Sequence, residues 1–276
     1  MPLAAYDPIG TVQQAITHLL MTHEPQFLGI GLRMYLSLAT VMLAWSGIRM
    51  MLATRDGDQV FNFARLLLTI SFGYAMIAYY ETPIPGIGTS FSNLITDQTA
   101  YLASLLSARA IQDAQQSLAT LWAALEQPDA WSILANLLYW GMLLIIGLSQ
   151  FALLFVVCFG MIASAVCALL GPLFIPFFIV PNLEWLFWNW LKAFVQYSFV
   201  PVVANAFILI FERFLSGYVQ TLPAGLRLEE QLLYGVHAVM ILMTFTVGVL
   251  LVPSLTSSIF SGQSGESVAP SRVIGI

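Results

Sequence analysis

From Trp131 to Val180 the chain carries no charged side chain. Wound as one helix, about fifty residues would reach roughly 75 Å, far beyond a hydrocarbon core of about 30 Å. The run must therefore enter lipid, either as two crossings or as one crossing followed by a re-entrant or protein-buried segment. It closes at Gly171-Pro172-Leu173-Phe174-Ile175-Pro176, breaks at Pro181-Asn182-Leu183-Glu184 and restarts as Trp185-Leu186-Phe187-Trp188-Asn189-Trp190-Leu191-Lys192. Proline removes a helix hydrogen bond, tryptophan prefers the headgroup level and lysine reaches out to it. The stretch therefore reads as a membrane–water boundary between two apolar segments.

The rest of the chain agrees with this reading. It is 59% hydrophobic and only 8% charged, against about 25% charged in soluble domains. The fold class expected is all-α, a polytopic helical membrane protein. A β-barrel would show short alternating segments in place of unbroken runs. A net charge of −5 with 9 Lys+Arg excludes a basic nucleic-acid surface. Cys158 and Cys167 lie inside the apolar run, where they read as small hydrophobes and not as a disulfide.

In chain order, residues 1–26 form an N-terminal amphipathic segment. Ile9, Val12, Ile16, Leu19 and Leu20 share one helical face opposite Gln13, Gln14, Thr17 and His18, and Pro25 is expected to end the helix. No Lys or Arg precedes the first span, so it does not read as a cleaved signal. Residues 27–80 hold two spans. The first, Phe27 to Leu52, carries Arg33 near its start and Trp45 and Arg49 near its end; the second, Val60 to Tyr80, has Arg65 near its entrance. Arg49, Arg55 and Arg65 flank the turn between them, which places that turn inside and the N-terminus outside.

Residues 81–130 set Arg109 against Glu81, Asp97, Asp113, Glu126 and Asp129, as expected for a loop carried across the membrane. A helical pattern runs from Gln98 to Leu125, and its apolar face needs cover from the protein's own spans or from a partner. Residues 131–252 form the transmembrane core. Gly160, Ser164 and Ala168, and separately Ala163, Cys167 and Gly171, repeat every fourth position and allow close helix packing, within the chain or between subunits. A span from Trp185 to Arg213 is kinked at Pro201, a loop covers 214–230, and a last span runs from Gln231 to Val252. The tail, 253–276, is expected to be largely disordered. Counting 131–181 as one traverse, with a broken or re-entrant segment near 158–181, yields about five spans; splitting it yields about six, with the tail outside.

Nothing in the chain assembles a catalytic site. No Gly-x-x-x-x-Gly-Lys-[Ser/Thr] loop is present, and Lys192 is the only lysine. His18 and His23 have no thiolate nearby, and no Ser–His–Asp set can be built. No catalytic, metal or cofactor-binding residue is assigned, and no cofactor is implied. Arg33, Arg65, Lys192, Glu212, Arg213 and His237 fall near span ends, where ionisable groups anchor helices. The alternative is a small-solute or ion transporter or channel with Arg33, Arg65 and His237 as lining charges. Against it stand the missing midplane acid and the missing internal repeat.

The core carries a more specific pattern. Gly171-Pro172-Leu173-Phe174, followed by Phe187-Trp188-Asn189-Trp190-Leu191-Lys192, Tyr197 and Pro201, resembles the TrbL-like polytopic inner-membrane component of bacterial type IV secretion systems, the family that includes the sixth VirB protein. Trp45-Ser46-Gly47 and the stretch Pro253-Ser254-Leu255 to Ser261-Gly262 fit it too. The resemblance implies a multi-pass inner-membrane subunit with a periplasmic N-terminus and a cytoplasmic C-terminus. It implies a part in the translocation route, at the base of the periplasmic stalk and in pilus assembly. Implied partners are other secretion components, pilin and minor pilin, ATPases, membrane lipids, translocated DNA or protein, and further copies of the chain in a ring, such as a pentamer. The positions singled out are Trp45, Gly171, Pro172, Pro176, Trp190, Lys192, Pro201, Arg33 and Arg65, with Trp190 and Lys192 as interface anchors and the prolines setting bends. The five-span topology predicts that a reporter fused after Gly262 is active in the cytoplasm; activity in the periplasm would overturn it.

Overall fold

The computed structural model describes residues 8–52, 57–107, 110–124, 133–220 and 228–261. Seven α-helices follow in order: α1 (Pro8–Leu52), α2 (Gly57–Ala78), α3 (Phe91–Ser107), α4 (Ala110–Ala124), α5 (Ile133–Phe174), α6 (Glu184–Gln220) and α7 (Leu228–Ser261). A 3-10 turn, Ile175–Ile179, joins α5 to α6. Among the described residues 5 helices, α1, α2, α5, α6 and α7, are long and apolar enough to cross a membrane, which matches the expected polytopic all-α class. With 22 residues, α2 matches a hydrocarbon core of about 30 Å, whereas the 45 residues of α1 and 42 of α5 reach well past one.

Several boundaries differ from those read off the sequence. Pro25 does not end the first helix: α1 runs through it as one element, and α7 likewise runs through Pro253 to Ser261. A proline deletes one backbone bond but leaves the turns on either side intact, and packed apolar helices absorb that loss. The tail from 262 lies outside the described residues. The loop expected at 214–230 begins later, because α6 continues to Gln220. The broken segment expected at 158–181 is smaller: α5 is continuous to Phe174, and the chain turns only at 175–183. There Val180 N–H donates to Phe177 O, Leu183 N–H to Val180 O and Leu186 N–H to Leu183 O, a relay of tight turns that delivers the chain into α6.

The polar interval after α2 holds two helices, and α3 starts earlier than the Gln98 pattern suggests. Gly86 and Gly88, both at positive φ, allow a compact turn there. The turn brings Phe91 N–H onto Tyr79 O at 2.9 Å and Ser92 N–H onto Tyr80 O at 3.2 Å. The free donors that begin α3 thus meet the free carbonyls that end α2. Ser90 Oγ accepts from Asn93 N–H and caps the new helix. Both α3 and α4 lie along α6, so the interval folds onto its own spans. Leu118 of α4 is buried with Ile146, Leu215 and Leu242.

Helices α5, α6 and α7 form an antiparallel bundle around Leu153, Val156, Val200, Ile208, Phe245 and Val249. The small-residue row on α5 serves packing within the chain. Gly160 faces Val200 and Pro201, Ser164 Oγ lies 2.8 Å from Ser198 Oγ, and Ala168 faces Tyr80. A second hydroxyl pair, Ser149 Oγ and Thr246 Oγ1 at 2.7 Å, ties α5 to α7. In lipid, helices gain little from apolar contact alone, so close approach and such hydrogen bonds decide which faces meet. Gly160→Val is therefore expected to lower the melting temperature of the purified protein, with overpacking costing about 1–3 kcal/mol. Gly147→Ala, whose added carbon meets nothing within 4 Å, should leave it unchanged or raise it.

Candidate functional site

Pro172 lies within α5 and has no N–H, so the carbonyl of Ala168 four residues earlier has no helical donor. The side chain that replaces it comes from another helix pair. Tyr80, just beyond α2, is fully buried and donates its hydroxyl to Ala168 O. One residue back, Cys167 O accepts from Trp190 Nε1 on α6 at 2.8 Å. The two rings converge over Gly171, where a Cβ would collide with the Tyr80 hydroxyl and the Trp190 ring. From the α1 side, Gly31 lies against the Pro172 carbonyl with no room for a side chain. The joint thus ties α1, α2, α5 and α6 at one level.

Aromatic packing stiffens it. Trp190 stacks on Phe174 with centroids 6.3 Å apart at 4°, and on Phe194 at 5.7 Å and 14°. Ile175, Ile179 and Phe187 fill the space between them and Tyr35, Met76 and Ile77 of the first two helices. Tyr35 donates to Ile70 O, which fastens α1 to α2 just beside the joint. Glu81 follows Tyr80, and partial burial raises its carboxyl above the usual carboxylate range. The arrangement offers no nucleophile–base pair. What it provides is a fixed angle between four helices.

The structure brings together Gly171, Pro172, Pro176 and Trp190, all of them buried. It separates the others. Pro201 sits farther along α6 against Gly160, half-buried. Lys192, Arg33 and Arg65 are exposed, as is Trp45, with the Arg49 guanidinium 5.3 Å from its ring centroid. Trp190 is a core residue at 5% exposure, whereas Trp185 and Trp188 are 57% and 50% exposed and take the rim. Trp188 Nε1 donates to Glu184 Oε1 at 2.6 Å across one helical turn. The reason is register: position 190 faces Cys167 on α5, whereas 185 and 188 face outward. Sequence reasoning missed Gly31 and Tyr35, and took Tyr80 for a span end. The proline announces a vacant carbonyl, but not which distant donor fills it.

The family described as TrbL/VirB6 plasmid conjugal transfer protein matches residues 39–253, well over half of the chain and the whole of this joint except Gly31 and Tyr35. The chain belongs to that family. It is a component of conjugal transfer and type IV secretion machinery and a multi-pass membrane protein. No curated protein matches the chain significantly. In this family member, Tyr80→Phe should destabilise the folded chain by about 1–3 kcal/mol, the penalty of an unsatisfied buried carbonyl. Pro172→Ala restores a helical donor to Ala168 O, so Tyr80→Phe should cost less in that background. A double-mutant cycle on thermal unfolding measures the coupling, and strict additivity would disprove it.

Proposed function

We propose that this TrbL/VirB6 family member is an inner-membrane subunit that helps form the translocation route and the base on which the periplasmic stalk and pilus are assembled. The family match across 39–253 carries the reading. The joint supports it, since four helices locked at Gly171–Pro172 make a rigid body suited to holding partners in register. The chain has no phosphate-binding loop, so the energy comes from partner ATPases. The N-terminus faces the periplasm, following the arginines around the first turn, and the C-terminus faces the cytoplasm.

Its partners are the other inner-membrane and stalk components, pilin and minor pilin, and further copies of the chain in a ring. Cargo of DNA or protein passes along the assembly. Exposed apolar rows such as Phe151, Phe155 and Phe159, stacked along α5, are available to lipid or to those copies. In this reading Pro172, Pro176 and Pro201 set the bends and Trp190 holds the joint. Arg33, Arg65, Trp45 and Lys192 anchor the helices at the membrane surfaces.

Extraction in a gentle detergent followed by mass spectrometry should recover envelope secretion components with the chain. Recovery of the chain alone, with solute flux in liposomes, would overturn the assignment. A Trp190→Ala variant that still inserts should reduce substrate transfer by about an order of magnitude; transfer at the parental rate would remove Trp190 from the mechanism.

A further inference from the structure

A cavity of about 670 Å³ lies beside the joint, walled by α1, α3, α5 and α6. Its rim is exposed, with Gln13 and Thr17 from α1 and Asn93 and Ser104 from α3. Its floor is buried and comes from Ser164 and Ala165 of α5 and Ser198 and Asn205 of α6. On α1 the lining extends from Ile9 to Glu24, a distance of about 22 Å along the helix. Apolar side chains, among them Ile16, Leu20, Val157 and Met161, fill the spaces between the polar ones.

The polar lining asks for both halves of a hydrogen bond. Thr17 donates its hydroxyl proton to Gln13 O and Thr99 donates to Ile95 O, which leaves lone pairs on both oxygens. Ser198 donates to Phe194 O, so in the Ser164–Ser198 pair Ser164 is the donor. The Gln13 and Asn93 amides bring N–H donors as well as carbonyl acceptors to the same space. On the floor Asn205 is 4% exposed; its Nδ2 donates to Ala103 O at 3.5 Å, and no protein donor reaches its Oδ1. At the opposite end stands Glu24, half-buried, with no cation paired to it among the described residues.

We propose that this cavity is an aqueous inlet, in which water enters between α1 and α3 and reaches Asn205 inside the helix bundle. Water donates and accepts in any direction, so it meets hydroxyl acceptors and amide donors on one wall. A chain of waters also serves Asn205 and Glu24 together, which stand too far apart for any one ligand group. At about 30 Å³ per molecule in the liquid, the space holds roughly twenty waters. Cavities that stay dry are lined by apolar groups alone, and this one is not. An acyl chain would cover Ile16, Leu20 and Met161 but strand the Asn205 oxygen and the Glu24 carboxylate, both costly to bury unmet. The inlet gives small hydrophilic molecules a way into a bundle whose outer surface is apolar. The inference stands on the cavity and is independent of the secretion reading and of the side that α1 and α3 face.

The test reads thiol reactivity, because a thiol ionises and reacts in water but is inert in apolar surroundings. Cys158 and Cys167 are replaced by alanine in the full chain, and single cysteines are then introduced. Ala103→Cys and Ala165→Cys place a thiol in the lining. Ala152→Cys places one in the closed core, and Gln98→Cys one on the exposed surface of α3. Each protein, in phosphatidylcholine nanodiscs, is treated with the hydrophilic reagent trimethylammonioethyl methanethiosulfonate. The two cavity thiols should react within about tenfold of Gln98→Cys and about a hundredfold faster than Ala152→Cys. Two lining sites are used so that one still decides if the other variant fails to fold. Cavity thiols as slow as Ala152→Cys would overturn the proposal. So would their modification by a lipid-soluble maleimide with the hydrophilic reagent excluded, which would assign the space to lipid chains.

Discussion

A proline inside a helix leaves a carbonyl without its donor, and in a low-dielectric interior that group must find another. Here the carbonyl belongs to Ala168 and the donor is the Tyr80 hydroxyl, from the far end of a different helix pair. Most of the architecture can be traced from this one bond. It lets α5 continue past Pro172 to Phe174 without breaking. It draws the end of α2 onto α5, and the carbonyls ending α2 in turn start α3. Trp190, bonded one residue away at Cys167, brings in α6, and Gly31 allows α1 to close over the same spot.

Away from the joint, the helices are matched by small residues and by pairs of hydroxyls. Gly160 admits Pro201, Ser164 meets Ser198, and Ser149 meets Thr246. Each contact places a backbone close to another or satisfies a polar group that lipid would leave unmet, and both favour one pairing of faces over others. The result is a bundle in which the loop between α2 and α5 is itself helical and lies against α6. For a member of the TrbL/VirB6 family, this means that the interval between α2 and α5 and the spanning part are mechanically continuous. A force applied to α3 or α4 by a partner would be felt along α6 and at the joint.

The helices are also much longer than one bilayer needs. With α1 at 45 residues and α5 at 42, apolar surface extends over a greater height than a hydrocarbon core of about 30 Å can cover. The exposed rows on α1, α2, α5 and α7 leave a large apolar surface on the outside of the bundle. The cavity between α1, α3, α5 and α6 differs from this surface in mixing hydroxyls, amides and the Glu24 carboxylate with its apolar lining.

The helical membrane class was legible in the sequence because it follows from composition and run length, which need no knowledge of neighbours. The uncharged run from Trp131, the Pro-Leu-Phe motif and the aromatic restart after Pro181 sufficed for the family resemblance, and the four-residue rows on α5 announced close packing. What the sequence could not hold was partnership. Whether Pro25 and Pro253 end a helix, whether Trp190 faces lipid or Cys167, and which donor reaches Ala168 depend on groups far away in the chain. A proline states locally that a bond is lost; only the tertiary structure decides which distant side chain restores it.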